Sequence, residues 1–459
     1  MGGARASRFV GVFCAAVAAA AGAAVLVFGP SATAATESGG VHEGVASCAG
    51  STCHSRQIDS GLNVRQDELI TWQDRSSVAG AHSRAYRVVY EPRGVAITRK
   101  MGLSGEGIAG QCLGCHADPA PTARRGARFQ LSDGVGCEAC HGASSGWLAS
   151  HRGVEGTHLN NVARGMKALE NPKVRAAVCL DCHFGGSKPG QFVSHEIMAA
   201  GHPRVNFELD LFSSLQKHWD VDADYVKRKG YAGGVKTWAV GQAMALERAL
   251  TLYAEPGRNR GAFPELYFFD CHSCHRQISD DPNARPTWQA NPGRPIPSGQ
   301  PPFNDENIIM LTAAAKVVAP GLAGRLEADS RAFHSALARD RGESLRAAAK
   351  LAGTARALAD AFAGQSFSRA ETLAMLDAIL TGEAARRYTD YTGAAQAVMA
   401  ADTLLNALVA SGDADRGTVA RVRPLLDRAY AQVRDPNGWR PDAFRATLAQ
   451  TAQAARSLR

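Results

Sequence analysis

Hydrophobic and polar positions divide the 459 residues into three unlike stretches. Residues 9–28 are an uncharged apolar run, preceded by Arg5 and Arg8 and followed by Gly29, Pro30 and the small-residue stretch SATAATES. That order is the order of an export signal, with cleavage expected near Ala34. The run is also long enough to cross a bilayer, so an uncleaved form would anchor the protein to a membrane. Cys14 within it reads as apolar filler, because bulky Phe13 precedes it. The second stretch, from 35 to about 281, is glycine-rich with few long periodic runs, which predicts loops and short helices. The third, from Asp305 onward, sets alanine and leucine at helical spacing with arginine and glutamate opposite, which predicts four or five packed helices. Ser368 followed by Glu371 makes a capping box, and Gly382 stands where a helix end favours a left-handed residue. Residues 282–302 carry seven prolines, which suit neither a helix nor a central strand and predict an extended connector. The expected architecture is mainly α with little strand: a signal peptide over 1–34, a loop-rich domain over 35–303 and an α-helical bundle over 304–459.

Composition narrows the class only a little. With 45% hydrophobic and 20% charged residues the chain is ordinary globular protein, and no second long apolar run suggests a polytopic membrane protein. The formal charge is +8, of which Arg5 and Arg8 contribute two. No Lys/Arg-rich block with interleaved aromatics is present, so nucleic acid is not expected as a partner.

The cysteines change the picture. Ten of the eleven form five close pairs, each followed at once by histidine. Four read Cys-x-x-Cys-His: CLGCH at 112–116, CEACH at 137–141, CLDCH at 179–183 and CHSCH at 271–275. The fifth, CAGSTCH at 48–54, has four residues between its thiols. Chance would give roughly 0.01 strict matches in such a chain. Zinc ribbons also pair cysteines, but zinc explains neither a histidine after every pair nor export. The pattern is that of covalent haem c attachment, in which two thioethers fix the ring edge and the adjacent histidine is held under the iron. It assigns five covalently bound haems c, with Cys48 and Cys53, Cys112 and Cys115, Cys137 and Cys140, Cys179 and Cys182, and Cys271 and Cys274 as attachment thiols. His54, His116, His141, His183 and His275 are then the proximal ligands. The 35–303 stretch reads as a pentahaem cytochrome c domain whose cofactors stand in for a side-chain core. Haem attachment follows translocation on reduced thiols, which places the protein in the periplasm or on the extracellular side of a bacterial membrane.

At GVGCEACHG, residues 134–142, the sequence resembles the tetrahaem cytochromes c that accept electrons from hydroxylamine oxidoreductase in ammonia oxidisers. The order of features over 41–184 is similar too: the Cys48 motif, Trp72 with His82, CLGCH, GVGCEACHG, His151 with Arg152, and CLDCH. The chain departs from that family in its wide first motif, its longer Trp72-to-His82 gap, its fifth motif and its helical tail. SHEIMAAGHPRVNFELDLF, 194–212, is similar to a segment of larger multihaem cytochromes of bacterial respiratory chains. The resemblance implies that His82 and His151 are distal ligands, and that one haem in such proteins is five-coordinate.

Nine histidines remain, and five would complete bis-histidine, low-spin irons. The candidates are His42, His82, His151, His195 and His202. His42 is too close to its own motif and would cap a neighbouring haem. His195 and His202 lie two helical turns apart, although Pro203 disfavours helix at His202. His158, His218, His272 and His334 are expected to be surface or hydrogen-bonded histidines. Trp72, Trp147, Trp219, Trp238 and Trp288, with Tyr267, Phe268 and Phe269, are expected to wall the haems. Five motifs between 48 and 275 imply closely spaced rings, which suits an electron carrier between a quinol-linked donor or oxidoreductase and a terminal acceptor in a respiratory chain. No catalytic residue is assigned. The alternative is an oxidoreductase with one open haem acting on a small nitrogen or sulfur compound, although the Cys-x-x-Cys-Lys motif of ammonia-forming nitrite reductases is missing.

Overall fold

Backbone hydrogen bonds of the computed structural model are almost wholly helical, and the architecture is mainly α. It describes residues 39–458 apart from 59, 61–63, 155, 259–264, 276–279, 281–288 and 298–299. The signal peptide and its cleavage site, the anchor alternative, Cys14 and Trp288 lie outside the described residues. Among the described residues there is no sheet; His42 bridges to Arg125 and Phe269 to Phe303 as isolated pairs.

The longer helices are α1 (Gly105–His116), α2 (Pro172–Leu180), α3 (Gly234–Ala254), α4 (Glu306–Val318), α5 (Pro320–Leu337), α6 (Arg341–Gly364), α7 (Arg369–Leu380), α8 (Tyr391–Ala410), α9 (Arg416–Gln432) and α10 (Pro441–Ala455). A short helix, Gly382–Arg387, links α7 to α8. The tail thus holds more helices than the four or five expected, because capping residues cut its periodic run. Pro320 opens α5, where a missing N–H costs nothing, and Asp340, Asp390 and Asp415 accept first-turn N–H groups of α6, α8 and α9. The Ser368–Glu371 capping box forms as expected, and Gly382 takes φ 61°.

Burial explains how these helices meet. Trp238, Leu246, Leu250 and Tyr253 of α3 share one apolar core with Leu351, Leu358 and Phe362 of α6, Ile309 of α4 and Leu404 of α8. The α3 helix belongs by position to the expected haem domain, yet its apolar side is buried in the bundle. The boundary expected at 303/304 therefore falls inside one compact unit, Gly39–Arg459. By length and hydropathy α8 could cross a membrane, and it is mostly buried inside this core.

The connector is also drawn in. Arg294, 1% exposed, lies within 3.5 Å of carboxylates of Asp270, Asp305 and Asp390, so a charge that would be costly alone ties motif five to α4 and α8. Trp238, Phe268 and Phe269, expected as haem walls, are instead part of the side-chain core.

The stretch from 39 to 233 is built differently. Its helices are short, and its apolar clusters are small: Val89, Leu113 and Ala117 in one, Ala176, Leu180, Phe207 and Leu209, with Ala245 from α3, in another. Ile58, Val154 and Leu159 are exposed.

Candidate functional site

Each motif sits on a short local frame. CLGCH is the last turn of α1, and Gly114 within it passes so close to Gly190 that a Cβ would lie 2.6 Å from the Gly190 carbonyl. CEACH forms its own one-turn helix, Cys137–His141. Before it Gly134, at φ 74°, lies against the His82 carbonyl, which accepts the Val135 N–H at 3.0 Å. Gly134 and Val135 thereby fix the position of a histidine 53 residues before Val135 in a different turn. CLDCH continues α2 into a π-type turn, and CHSCH is a turn capped by Asp270.

Glu138, inside CEACH and 3% exposed, is a residue the sequence reading passed over. Its carboxylate accepts the N–H groups of Glu43, Gly44 and Ser144 at 2.7 to 2.8 Å, pinning the chain before motif one against motif three. The Cys115 thiol lies 3.9 Å from the Cys182 carbonyl, and the Cys182 thiol 3.6 Å from the Gly114 carbonyl. Motifs one and three are therefore neighbours, and so are two and four.

The decisive geometry lies in the histidines. His54 faces His151 with ring centroids 6.3 Å apart, His116 faces His202 at 6.2 Å, and His141 faces His218 at 6.2 Å. His183 faces His82 at 5.9 Å and His275 faces His195 at 6.0 Å. Two imidazoles that share one metal through Nε2, each bond about 2 Å long, hold their centroids about 6 Å apart. Every attachment histidine thus has another histidine at the spacing a shared iron requires.

The far ring nitrogens agree. Nδ1 of His116, His151, His202 and His218 lies 2.7 to 2.8 Å from the carbonyls of Ala85, Leu148, Pro203 and Gln216, and Nδ1 of His54 lies 2.9 Å from Glu68 Oε2. Such partners fix the tautomer and leave Nε2 free to bind metal. Burial pushes His141 down to about 3 and His183 down to about 4, with neighbouring histidines adding to it, so both are neutral and keep a lone pair. His82, His151 and His202 are lowered by burial too, whereas the Glu68 hydrogen bond raises His54.

Of the expected distal candidates, His82, His151, His195 and His202 each stand opposite an attachment histidine. His195 and His202 do so separately: His195 opens a helix that ends at Ala200, and Gly201 at φ 122° turns the chain before His202. His42 does not join them; its Nδ1 lies 2.9 Å from Asp118. His218, expected to be an ordinary hydrogen-bonded histidine, takes the place opposite His141, and no spacing in KHWD could have announced it. Three others use Nε2 within the protein: His158 toward Glu170, His272 toward the Pro436 carbonyl and His334 toward the Phe303 carbonyl. Trp147 and Trp219 lie edge-on to His151 and His218, in line with haem-wall roles.

Residues 47–142 match the model of the family described as cytochrome c554 and c-prime. That segment is about a fifth of the chain, and over it the chain is similar to multihaem c-type cytochromes. The likeness supports covalently bound haem c and a part in electron transfer. The matched segment holds the first three motifs and ends one residue after His141. Neither the search of curated proteins nor that of solved structures gives a match.

Proposed function

We propose that this protein carries five haems c, each held between its attachment histidine and a second histidine, and passes single electrons between redox proteins. The pairs are His54 with His151, His116 with His202, His141 with His218, His183 with His82, and His275 with His195. The supporting observation is that all five ring pairs have centroids 5.9 to 6.3 Å apart. When bound, the haem irons supply one-electron exchange between Fe(III) and Fe(II). The chain's residues do the rest: paired thiols fix ring edges, Nδ1 partners hold the imidazoles still, and Trp147 and Trp219 screen water. With a strong ligand on both faces, coordination stays the same in both oxidation states.

The proposed setting is the periplasm or the outer side of a bacterial membrane, where members of the matched family generally work. Residues 1–34 would be removed on export, 35–303 would carry the haems and 304–459 would brace them. The partners would be a quinol-linked donor or oxidoreductase and a terminal acceptor. Against the open-haem oxidoreductase stands the absence, among the described residues, of an attachment histidine without a facing histidine.

Intact mass and EPR spectroscopy of the purified protein test this reading. The expected result is five haem masses and an entirely low-spin spectrum. His218→Ala should turn one iron in five high-spin, while His42→Ala should leave the spectrum unchanged. A wild-type high-spin signal that binds nitric oxide would replace the carrier with the oxidoreductase.

A further inference from the structure

A ligand histidine is tuned through its far nitrogen. A neutral carbonyl orients the ring, whereas a carboxylate also draws on the Nδ1 proton, making the imidazole a stronger donor that favours Fe(III). Among the described residues only one of the ten paired histidines is given a carboxylate: His54, whose Nδ1 lies 2.9 Å from Glu68 Oε2. His116, His202 and His218 lean on backbone carbonyls.

The Glu68 contact is built rather than incidental. Glu68 opens the helix Glu68–Gln73, and its other oxygen, Oε1, accepts the Gln66 N–H at 3.2 Å. The Leu69 N–H returns to the His54 carbonyl at 2.8 Å, so a backbone bond and a side-chain bond both clamp the start of this helix to His54. The pair is also marked by its planes. His54 and His151 are 10° from parallel, whereas His116 with His202 stand at 84° and His141 with His218 at 76°. Nearly parallel rings donate into the same iron d orbital and give a rhombic low-spin EPR signal. Crossed rings give a strongly axial one; His275 with His195, at 32°, is the other pair near enough to parallel for a rhombic signal, so the His54 signal is the rhombic one that a change at Glu68 moves.

We propose that Glu68 is a positioning residue that lowers the reduction potential of the iron held by His54 and His151 below that of the irons held by His116 with His202 and His141 with His218. This rests on the bis-histidine reading above. Reduction there takes one electron from an external one-electron donor and converts Fe(III) to Fe(II). The Nδ1 proton stays between His54 and Glu68, and no other atom moves. Electrons delivered at the Cys48 motif then run downhill toward the sites with carbonyl partners.

The test is an EPR-monitored potentiometric titration of the fully haem-loaded protein and of Glu68→Gln, which keeps an acceptor for Nδ1 and removes the charge. In the wild type one of the two rhombic components, that of the His54 site, should titrate below the axial ones. In Glu68→Gln its oxidised-to-reduced equilibrium should move about tenfold toward Fe(II), or about 59 mV for a one-electron couple. The axial components should stay where they were. No movement of either rhombic midpoint, or a common shift of all components, overturns the role of Glu68. If Glu68→Gln does not mature, Glu68→Asp, with its shorter side chain and weaker hydrogen bond, should show a smaller upward shift; no shift overturns the proposal equally. A wild-type high-spin signal would instead overturn the ligand pairing beneath it, so the two failures are told apart.

Discussion

The stretch from 39 to 233 and the helices from α3 onward are joined in one unit but ordered by different means. In the helices, side chains supply the interior: Trp238, Phe333, Leu358, Phe362 and Leu404 are each fully buried. In the other stretch the buried apolar clusters are a few residues each, while histidine rings pair with centroids 6.2 to 6.3 Å apart. On the proposed reading, one part forms its interior from side chains and the other forms it around its cofactor. The contrast predicts what happens when haem attachment is prevented. A chain with the ten attachment cysteines replaced by serine should lose protection from proteolysis between 39 and 233. Much of the far-ultraviolet helical signal, which comes from α3–α10, should persist. If the 39–233 stretch resists cleavage as well as the helices do, its order does not depend on haem.

A smaller break on the other side sharpens the same comparison. Phe362 is fully buried in α6 and packs against Phe367. Phe362→Ala should cost about 3–5 kcal/mol, the range for deleting a buried ring. The haem absorbance below the melting transition should be unchanged, because no histidine pair touches that ring. A changed haem spectrum in this variant would mean that the bundle sets ligand geometry directly. For contrast, Val154 is wholly exposed, and Val154→Ala should stay within about 0.5 kcal/mol of wild type.

What the sequence made legible follows the same division. Haem attachment is written in contiguous residues, so Cys112, Cys115 and His116 could be read together without a fold. The capping box at Ser368 was legible for the same reason. Distal ligands are not contiguous with anything: His218 meets His141 across 77 residues, and its dipeptide with Trp219 carries no signature. His82 and His151 follow from the resemblance, and His195 and His202 from their spacing, although these last two stand opposite different motif histidines. His42 was a reasonable candidate, yet among the described residues the ring it meets is that of Phe129 and not a motif histidine. The place of α3 was hidden as well, since a helix apolar on most sides reads alike whether it packs on haem or on other helices.

The last comparison concerns the seam between the two regions, where buried carboxyls meet. Glu208 is 1% exposed; it accepts the N–H groups of Asp210 and Leu211 and, at 2.7 Å, the hydroxyl of Thr403 in α8. Burial first, and the Asp210 charge second, push its carboxyl up to about 8, and burial pushes Asp210 up to about 6 against the pull of Arg175. Below the ordinary carboxylate range both folded and unfolded chains hold these protons, and the contribution to stability is complete. As pH rises the unfolded chain releases its protons first while the folded chain keeps Glu208 protonated, so stability must fall, by about 1.4 kcal/mol per pH unit for each proton held. The loss is finished once pH passes the folded value near 8. The melting temperature should therefore decline between pH 5 and 8. Glu208→Gln, neutral at every pH and keeping one of the two acceptor oxygens, should flatten much of that decline. Part of the slope should survive, because burial also pushes Asp305 up to about 7 despite Arg294 beside it. Thermal melts of both proteins across that range decide the matter: equal slopes would mean that Glu208 is already ionised when folded, and that the seam is held by charge rather than by a buried neutral acid.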